Sequence, residues 1–121
     1  MKSVLIVDDS RYMRVLIREA IEQGEYNVIG EAATGEEAID MAIELEPDVI
    51  TLDNILPDME GSDILKALNE DGLKSKVILI SGVGQEEVIQ EGLALGAVDY
   101  VTKPFTSEQI TTVLGKQHPV S

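Results

Sequence analysis

Five short apolar segments stand out from a chain that is otherwise rich in polar and charged residues: Ser3–Val7, Asn27–Ala32, Val49–Leu52, Val77–Ser81 and Asp99–Thr102. The first, third and fourth are nearly continuous in Val, Ile and Leu, with little alternation between apolar and polar positions. This pattern is typical of strands that are buried on both faces of a parallel sheet. We therefore predict five β-strands, of which these three are covered on both sides.

Between the strands, the apolar residues follow a helical period. The clearest stripe has apolar residues at i, i+3, i+4, i+7 and i+8, all on one helix face: Met13, Leu16, Ile17, Ala20 and Ile21. A smaller stripe follows each of the other four strands. The pattern therefore predicts one amphipathic helix after every strand.

Glycine, proline and serine residues mark where these elements end or begin. Gly24 closes the first predicted helix, and Pro47 ends the second. Pro57 and Gly61 fall in the loop before the third helix, and Ser107 is the predicted N-cap of the fifth. Strands and helices thus alternate five times, which predicts an α/β fold: a doubly wound, five-stranded parallel sheet with helices on both faces and right-handed crossovers.

The length of 121 residues suits one domain, 1–121. Residues 116–121 show no periodicity, so we expect a frayed tail there. The absence of cysteine excludes disulfides, iron–sulfur clusters and a cysteine nucleophile. No apolar run approaches the roughly 18 residues of a membrane span, and no signal peptide precedes the first strand, so we expect a cytoplasmic protein.

The charge is strongly skewed toward acid. Nine Lys and Arg residues against 23 Asp and Glu residues give a formal net charge of −14. Nucleic acid and anionic membrane surfaces both repel such a body, so we expect neither as a partner.

Polar and charged residues stand at the carboxyl ends of four of the predicted strands: Asp8 and Asp9 after the first, Asp53 after the third, Ser81 after the fourth, and Tyr100 to Lys103 along the fifth. Function in an open parallel sheet gathers at these ends. The fold is therefore expected to bring three carboxylates, a hydroxyl and an ammonium together from distant parts of the sequence.

Carboxylates at close range repel one another, so the predicted cluster needs a cation. Oxygen ligands without His or Cys point to Mg²⁺ or Mn²⁺. A carboxylate such as that of Asp53 can also act as a nucleophile and form an aspartyl phosphate. Lys103, the only cation that the sequence suggests near the cluster, would then hold a phosphate oxygen.

Taken in order, these motifs resemble the receiver domain of two-component response regulators. The segments that carry the resemblance are Val4–Asp9, Asp48–Asp53 with Pro57 and Gly61, Ile80–Ser81, and Tyr100–Phe105. The resemblance covers about residues 2–115 and looks closest to the stand-alone, CheY-like chemotaxis regulators. It implies a flavodoxin-like (βα)5 fold with strand order 2-1-3-4-5.

The resemblance also assigns roles at the site. Asp53 matches the phosphoacceptor, which takes a phosphoryl group from a histidine kinase. Asp9 and Asp53 match direct Mg²⁺ ligands, Asp8 matches an acid that acts through water, and the backbone carbonyl of Ile55 matches the third protein ligand. Ser81 matches a phosphate-contacting residue.

Four further roles follow from the same resemblance. Lys103 matches the second phosphate-contacting residue, and Lys103–Pro104 resembles the cis peptide of the family. Tyr100 matches an aromatic switch that turns inward when the Ser81 hydroxyl moves toward the phosphate. Gly61 has a structural role in the loop after the acceptor.

The function implied is a monomeric signalling module that is not an enzyme, apart from catalysing its own Mg²⁺-dependent phosphorylation and dephosphorylation. Its partners would be a histidine kinase and a phosphorylation-dependent target protein of the motility apparatus. The target would contact the fourth helix, fifth strand and fifth helix, about residues 85–115. A phosphorelay shuttle, which passes the phosphoryl group to a second histidine, is an open alternative.

Two other classes fit less well. A haloacid-dehalogenase-type phosphatase also uses an Asp nucleophile and Mg²⁺, but it needs an Asp two residues later, where this chain has Ile55. A flavodoxin-like cofactor binder needs a Ser, Thr and Gly-rich phosphate loop after the first strand, which is absent from this sequence.

Overall fold

The computed structural model describes residues 1–117, and within them five strands and five helices alternate along the chain. The strands are β1 (Lys2–Val7), β2 (Tyr26–Ala32), β3 (Val49–Asp53), β4 (Lys76–Ser81) and β5 (Asp99–Thr102). The helices are α1 (Arg11–Glu22), α2 (Gly35–Leu45), α3 (Gly61–Glu70), α4 (Glu86–Ala94) and α5 (Ser107–Gln117).

All four strand pairings are parallel, and the strand order is β2-β1-β3-β4-β5. The predicted fold class and strand order are therefore confirmed. The three nearly continuous apolar segments form β1, β3 and β4, the central strands, as expected for strands that are covered on both faces. The carboxyl ends of these strands lie at one edge of the sheet.

Alternate side chains of the three central strands enter two separate hydrophobic clusters. Leu5 packs in a cluster with residues of α2 and α3, whereas its neighbour Ile6 packs on the other face with residues of α1 and α5. Ile17 and Ile21, from the stripe predicted for the first helix, are fully buried in the second cluster. The helices thus cover both faces of the sheet and leave its carboxyl edge open for a site.

Two predicted helix starts need correction. The N-cap of α5 is Thr106, because its Oγ1 accepts a hydrogen bond from the Gln109 amide at 3.2 Å and Ser107 is already helical. Gly61 is the first residue of α3 and does not belong to the preceding loop. A Cβ at Gly61 would lie 3.1 Å from Oδ1 and 3.3 Å from Cα of Asn54, so a larger residue there would require Asn54 to shift.

The predicted tail is wrong at its beginning. Lys116 and Gln117 belong to α5, and the Gln117 carbonyl accepts a hydrogen bond from Nζ of Lys76 at 2.6 Å. The rest of that prediction, residues 118–121, lies outside the described residues. None of the helices within residues 1–117 has the length and apolar content needed to cross a membrane.

Candidate functional site

The carboxyl ends of β1 and β3 bring three carboxylates together. These strands are neighbours in parallel register, with Val7 opposite Leu52, so the residues that follow them emerge side by side. Carboxylate oxygens of Asp8, Asp9 and Asp53 all lie within 4.8 Å of one another. We call these three residues the acidic cluster; the sequence analysis predicted that they converge.

Hydrogen bonds hold both the side chain and the backbone of Asp8. Its side chain is buried, Oδ1 accepts a hydrogen bond from the Ser10 amide at 2.9 Å, and Oδ2 accepts one from Nζ of Lys103 at 3.2 Å. Its backbone amide donates to the carbonyl oxygen of Ala32 at 3.0 Å. These contacts satisfy a buried charge that would otherwise be costly.

Asp53 is also buried, but fewer favourable contacts offset the cost of burying its charge than at Asp8. Burial, followed by the charge of the neighbouring Asp8, raises the pKa of the Asp53 carboxyl from 3.8 to about 6. Lys103 opposes this rise, but its Nζ lies 3.7 Å from Oδ1 of Asp53, farther than from Asp8. A carboxylate whose charge is so poorly satisfied is a good candidate for a functional group.

Lys103 reaches the acidic cluster from the end of β5. Its amide donates to the carbonyl of Ser81 at 2.7 Å, which ties the carboxyl ends of β4 and β5 together. The Lys103–Pro104 peptide is cis, as the resemblance implies. The Lys103 side chain extends from this strand end to both buried acids, with Nζ 3.2 Å from Asp8 and 3.7 Å from Asp53.

Ser81 and Tyr100, the two predicted switch residues, make no side-chain hydrogen bond to the acidic cluster within residues 1–117. Ser81 is fully buried, and its hydroxyl has no hydrogen-bond partner within residues 1–117. Tyr100 is 43% exposed and lines an open groove with Val83 and Val113. An unpaired buried hydroxyl is costly and is therefore available to a new acceptor.

Sequence reasoning missed a second cation near the cluster. The guanidinium of Arg14 donates from Nη1 to the carbonyl oxygen of Asp8 at 2.7 Å and from Nε to Glu31 at 3.0 Å. Lys103 is therefore not the only cation there. The signal in the sequence was a charged residue, Glu31, inside an otherwise apolar strand segment.

A comparison with protein families decides the class of the protein. The model of the response regulator receiver domain matches residues 4–115. This chain belongs to the response regulator receiver domain family.

Individual receiver proteins are similar over nearly the whole chain. The chemotaxis protein CheY of Thermotoga maritima is 37% identical over 115 residues, which cover 95% of this chain and 96% of that protein. Among solved structures, CheY4 of Vibrio cholerae has a TM-score of 0.87 at 31% identity and covers 96% of this chain and 98% of that one. The signal receiver domain of NarL from Mycobacterium tuberculosis has a TM-score of 0.90 at 28% identity, with 96% and 94% covered. The predicted family is confirmed.

Receiver domains bind Mg²⁺ at an acidic pocket, and the acidic cluster of this receiver domain has suitable chemistry for such an ion. Its donors are all oxygens, as a hard divalent cation requires. Their mutual repulsion is only partly offset by Lys103, so a cation would relieve it. The Ile55 carbonyl accepts no backbone hydrogen bond from residues 1–117, since the neighbouring amides donate to Asn54 and Met59. The residues present therefore fit a divalent ion.

Proposed function

We propose that this receiver domain is a phosphorylation-switched signalling module in which Asp53 accepts a phosphoryl group from the phosphohistidine of a histidine kinase. The observation that carries the proposal is the environment of Asp53: a buried carboxylate within 4.8 Å of two other acids and 3.7 Å from one ammonium. Such a group is reactive because its charge is poorly satisfied, and the family match supplies the reaction class.

The transfer balances without any further reactant. An oxygen of the Asp53 carboxylate forms a bond to phosphorus while the bond from phosphorus to the histidine nitrogen breaks. The leaving nitrogen keeps the electron pair of that bond, and because the other ring nitrogen already carries a proton, a neutral imidazole departs. We assign Lys103 the task of holding a phosphoryl oxygen; its ammonium, 3.2 Å from Asp8 and 3.7 Å from Asp53, supports this role.

We assign Mg²⁺, or Mn²⁺, to Asp9, Asp53 and the Ile55 carbonyl, with Asp8 acting through water. When bound, the ion neutralises charge on the transferring phosphoryl group. The fit between the all-oxygen cluster and a hard divalent cation supports this assignment.

We further propose that Ser81 and Tyr100 form the switch. The Ser81 hydroxyl gains an acceptor when phosphoryl oxygens appear beside it, and Tyr100 then turns into the space that the hydroxyl has left. Two observations support this switch. The Ser81 hydroxyl lacks a hydrogen-bond partner within residues 1–117 and would gain one, and the exposed Tyr100 ring would be buried when it turns inward.

The output surface in this proposal is formed by α4, β5 and α5, and the target is a protein of the motility apparatus. Tyr100 supports the choice because it belongs to β5 and lines the groove between β5 and α5. The similarity to the chemotaxis protein CheY of Thermotoga maritima, which is 37% identical over 95% of this chain, supports a chemotaxis output. A pull-down with and without beryllofluoride identifies the partner; capture of a histidine phosphotransferase in place of a motility protein would favour the phosphorelay role.

The decisive experiment for phosphorylation is labelling with acetyl phosphate and Mg²⁺, followed by peptide mapping of the base-labile adduct. We expect one adduct, on Asp53, and none in the Asp53→Asn variant. Asp58→Asn is the matched control because it removes an acid five residues away that lies outside the cluster, and it should be labelled like wild type. Undiminished labelling of Asp53→Asn would refute Asp53 as the acceptor.

A further inference from the structure

A salt-bridge network between α1 and β2 reaches the backbone of the acidic cluster. Arg14 is only 17% exposed, and its guanidinium contacts a carboxylate oxygen of Glu31 and the carbonyl oxygen of Asp8 at the same time. Arg18 also pairs with Glu31, at 2.7 Å, but it makes no contact with the cluster. A guanidinium suits the Arg14 position because its planar fork can serve two acceptors in fixed directions.

The carbonyl that Arg14 binds belongs to the peptide that joins Asp8 to Asp9. The Asp8 side chain has hydrogen-bond partners of its own, whereas the Asp9 carboxylate makes no hydrogen bond or ion pair within residues 1–117. Asp9 is exposed, so packing does not hold it either. No contact of its own holds the Asp9 side chain, so its place beside Asp8 and Asp53 depends on where the backbone of residues 8–10 puts it.

We propose that Arg14 is a positioning residue for the divalent cation, which acts by holding the Asp8–Asp9 peptide so that Asp9 faces the ion. Glu31 holds the guanidinium in turn and offsets its positive charge. This inference rests on the proposed function, because it takes Asp9 as a ligand of Mg²⁺. Residues that orient metal ligands in this way commonly change metal affinity by about tenfold or more when they are removed.

Positioning and simple electrostatics predict opposite results for removal of Arg14. A positive charge near the acidic cluster repels Mg²⁺, so electrostatics alone predicts tighter binding when the guanidinium is lost. Loss of positioning predicts weaker binding, because Asp9 must then be ordered at the moment the ion binds. The direction of the change in affinity therefore separates the two accounts.

The test is Mg²⁺ titration by calorimetry of wild type, Arg14→Met and Arg18→Met. Both variants lose one positive charge and the pairing with Glu31, and Arg18→Met also loses its ion pair with Glu22, but only Arg14→Met loses the contact with the Asp8 carbonyl. We expect the Mg²⁺ dissociation constant to rise about tenfold in Arg14→Met and to stay within about twofold of wild type in Arg18→Met. Equal or tighter binding by Arg14→Met would overturn the inference.

A second measurement needs no metal. Backbone ¹⁵N relaxation in EDTA should show larger motion of the Asp9 and Ser10 amides in Arg14→Met than in Arg18→Met. If wild type binds no Mg²⁺, the proposed metal site fails, while this measurement still decides whether Arg14 orders the peptide. Should Arg14→Met not fold, Arg14→Lys replaces it, because one ammonium cannot reproduce the two fixed donations of the guanidinium. Unchanged amide motion in the folded Arg14 variant would also overturn the inference.

Discussion

Asp53 and Asp58 lie five residues apart on the segment that leads from β3 to α3, and their carboxylates have opposite surroundings. Asp53 is buried beside two other acids, and its pKa is raised to about 6, first by burial and then by Asp8. Asp58 is exposed and accepts hydrogen bonds from the amides of Gly35 at 2.8 Å and Glu36 at 3.0 Å, which lower its pKa. The surroundings of Asp53 therefore disfavour its charged form, whereas those of Asp58 stabilise the charge.

The difference separates structural from functional use of the same side chain. Asp58 places negative charge at the amino terminus of α2, where free amides and the helix dipole favour it, and so links the loop after β3 to that helix. Asp53 is kept where its charge costs stability, as functional groups often are. Substitutions and solution conditions should therefore affect the two acids in opposite directions.

The largest effect should come from neutralising Asp53 in the metal-free protein. Asp53→Asn keeps the shape of the side chain and leaves Lys103 its closer partner, Asp8, at 3.2 Å. The pKa of the Asp53 carboxyl rises from 3.8 to about 6 on folding. At pH 7, where the group is charged, this lowers the free energy of unfolding by an amount on the order of 2 kcal/mol. We expect Asp53→Asn to raise Tm in EDTA by roughly 5–10 °C. A fall in Tm would mean that the charge of Asp53 is well satisfied.

The pH dependence of that difference follows from the direction of the shift. Protonated Asp53 contributes stability that is fully present below the unfolded pKa of 3.8 and is lost as the pH rises through about 6. The stability gap between Asp53→Asn and wild type in EDTA should therefore be largest at pH 7 and should narrow steadily toward pH 4. Urea unfolding of both proteins at pH 7, 5 and 4 measures it; a gap that is constant with pH would contradict the raised pKa.

Mg²⁺ should produce the next largest effect, since it relieves the repulsion that Asp53 experiences. At ten times its dissociation constant, a ligand that binds only the folded state adds about 1.4 kcal/mol, which is roughly 5 °C in Tm. We expect this rise in wild type and in Asp58→Asn, whose cluster is intact. Asp9→Asn and Asp53→Asn should lose most of it. Thermal melts with EDTA and with excess Mg²⁺ measure this rise in Tm. An equal rise in all four proteins would mean that the ion binds outside the acidic cluster.

The sequence was sufficient for the fold and for the members of the acidic cluster, because buried strands have a strong signature and parallel strands share one carboxyl edge. The strand order came from family resemblance. Contacts away from that edge could not be predicted: Asp58 accepts hydrogen bonds from amides 22 and 23 residues earlier, and Arg14 pairs with Glu31, 17 residues later. Such contacts depend on loop paths and register, for which side-chain spacing carries no signal.

The predicted starts of two helices were wrong for a different reason. Thr106 and Ser107 both carry a hydroxyl that can cap a helix, and the choice between them depends on one residue of backbone geometry. The same limit applied to Gly61, which the sequence placed one residue outside the helix that it begins. Element types were therefore predictable, whereas the starts of α3 and α5 were each wrong by one residue.

The smallest effect should come from Asp58, and its sign should be opposite to that of Asp53. Asp58→Asn keeps an oxygen that can accept a hydrogen bond from Gly35 or Glu36 but removes the charge, so Tm in EDTA at pH 7 should fall slightly.

Because the pKa of Asp58 is lowered on folding, the stability that Asp58 contributes is present above the unfolded pKa of 3.8 and is lost as the pH falls through the folded pKa. Wild type and Asp58→Asn should therefore converge in stability as the pH falls below 3.8, where acidification has also removed most of the penalty at Asp53. Urea unfolding of the two proteins across that range is the measurement. If Asp58→Asn is instead more stable than wild type at pH 7, the amides of α2 do not stabilise this carboxylate, and the contrast between the two acids does not hold.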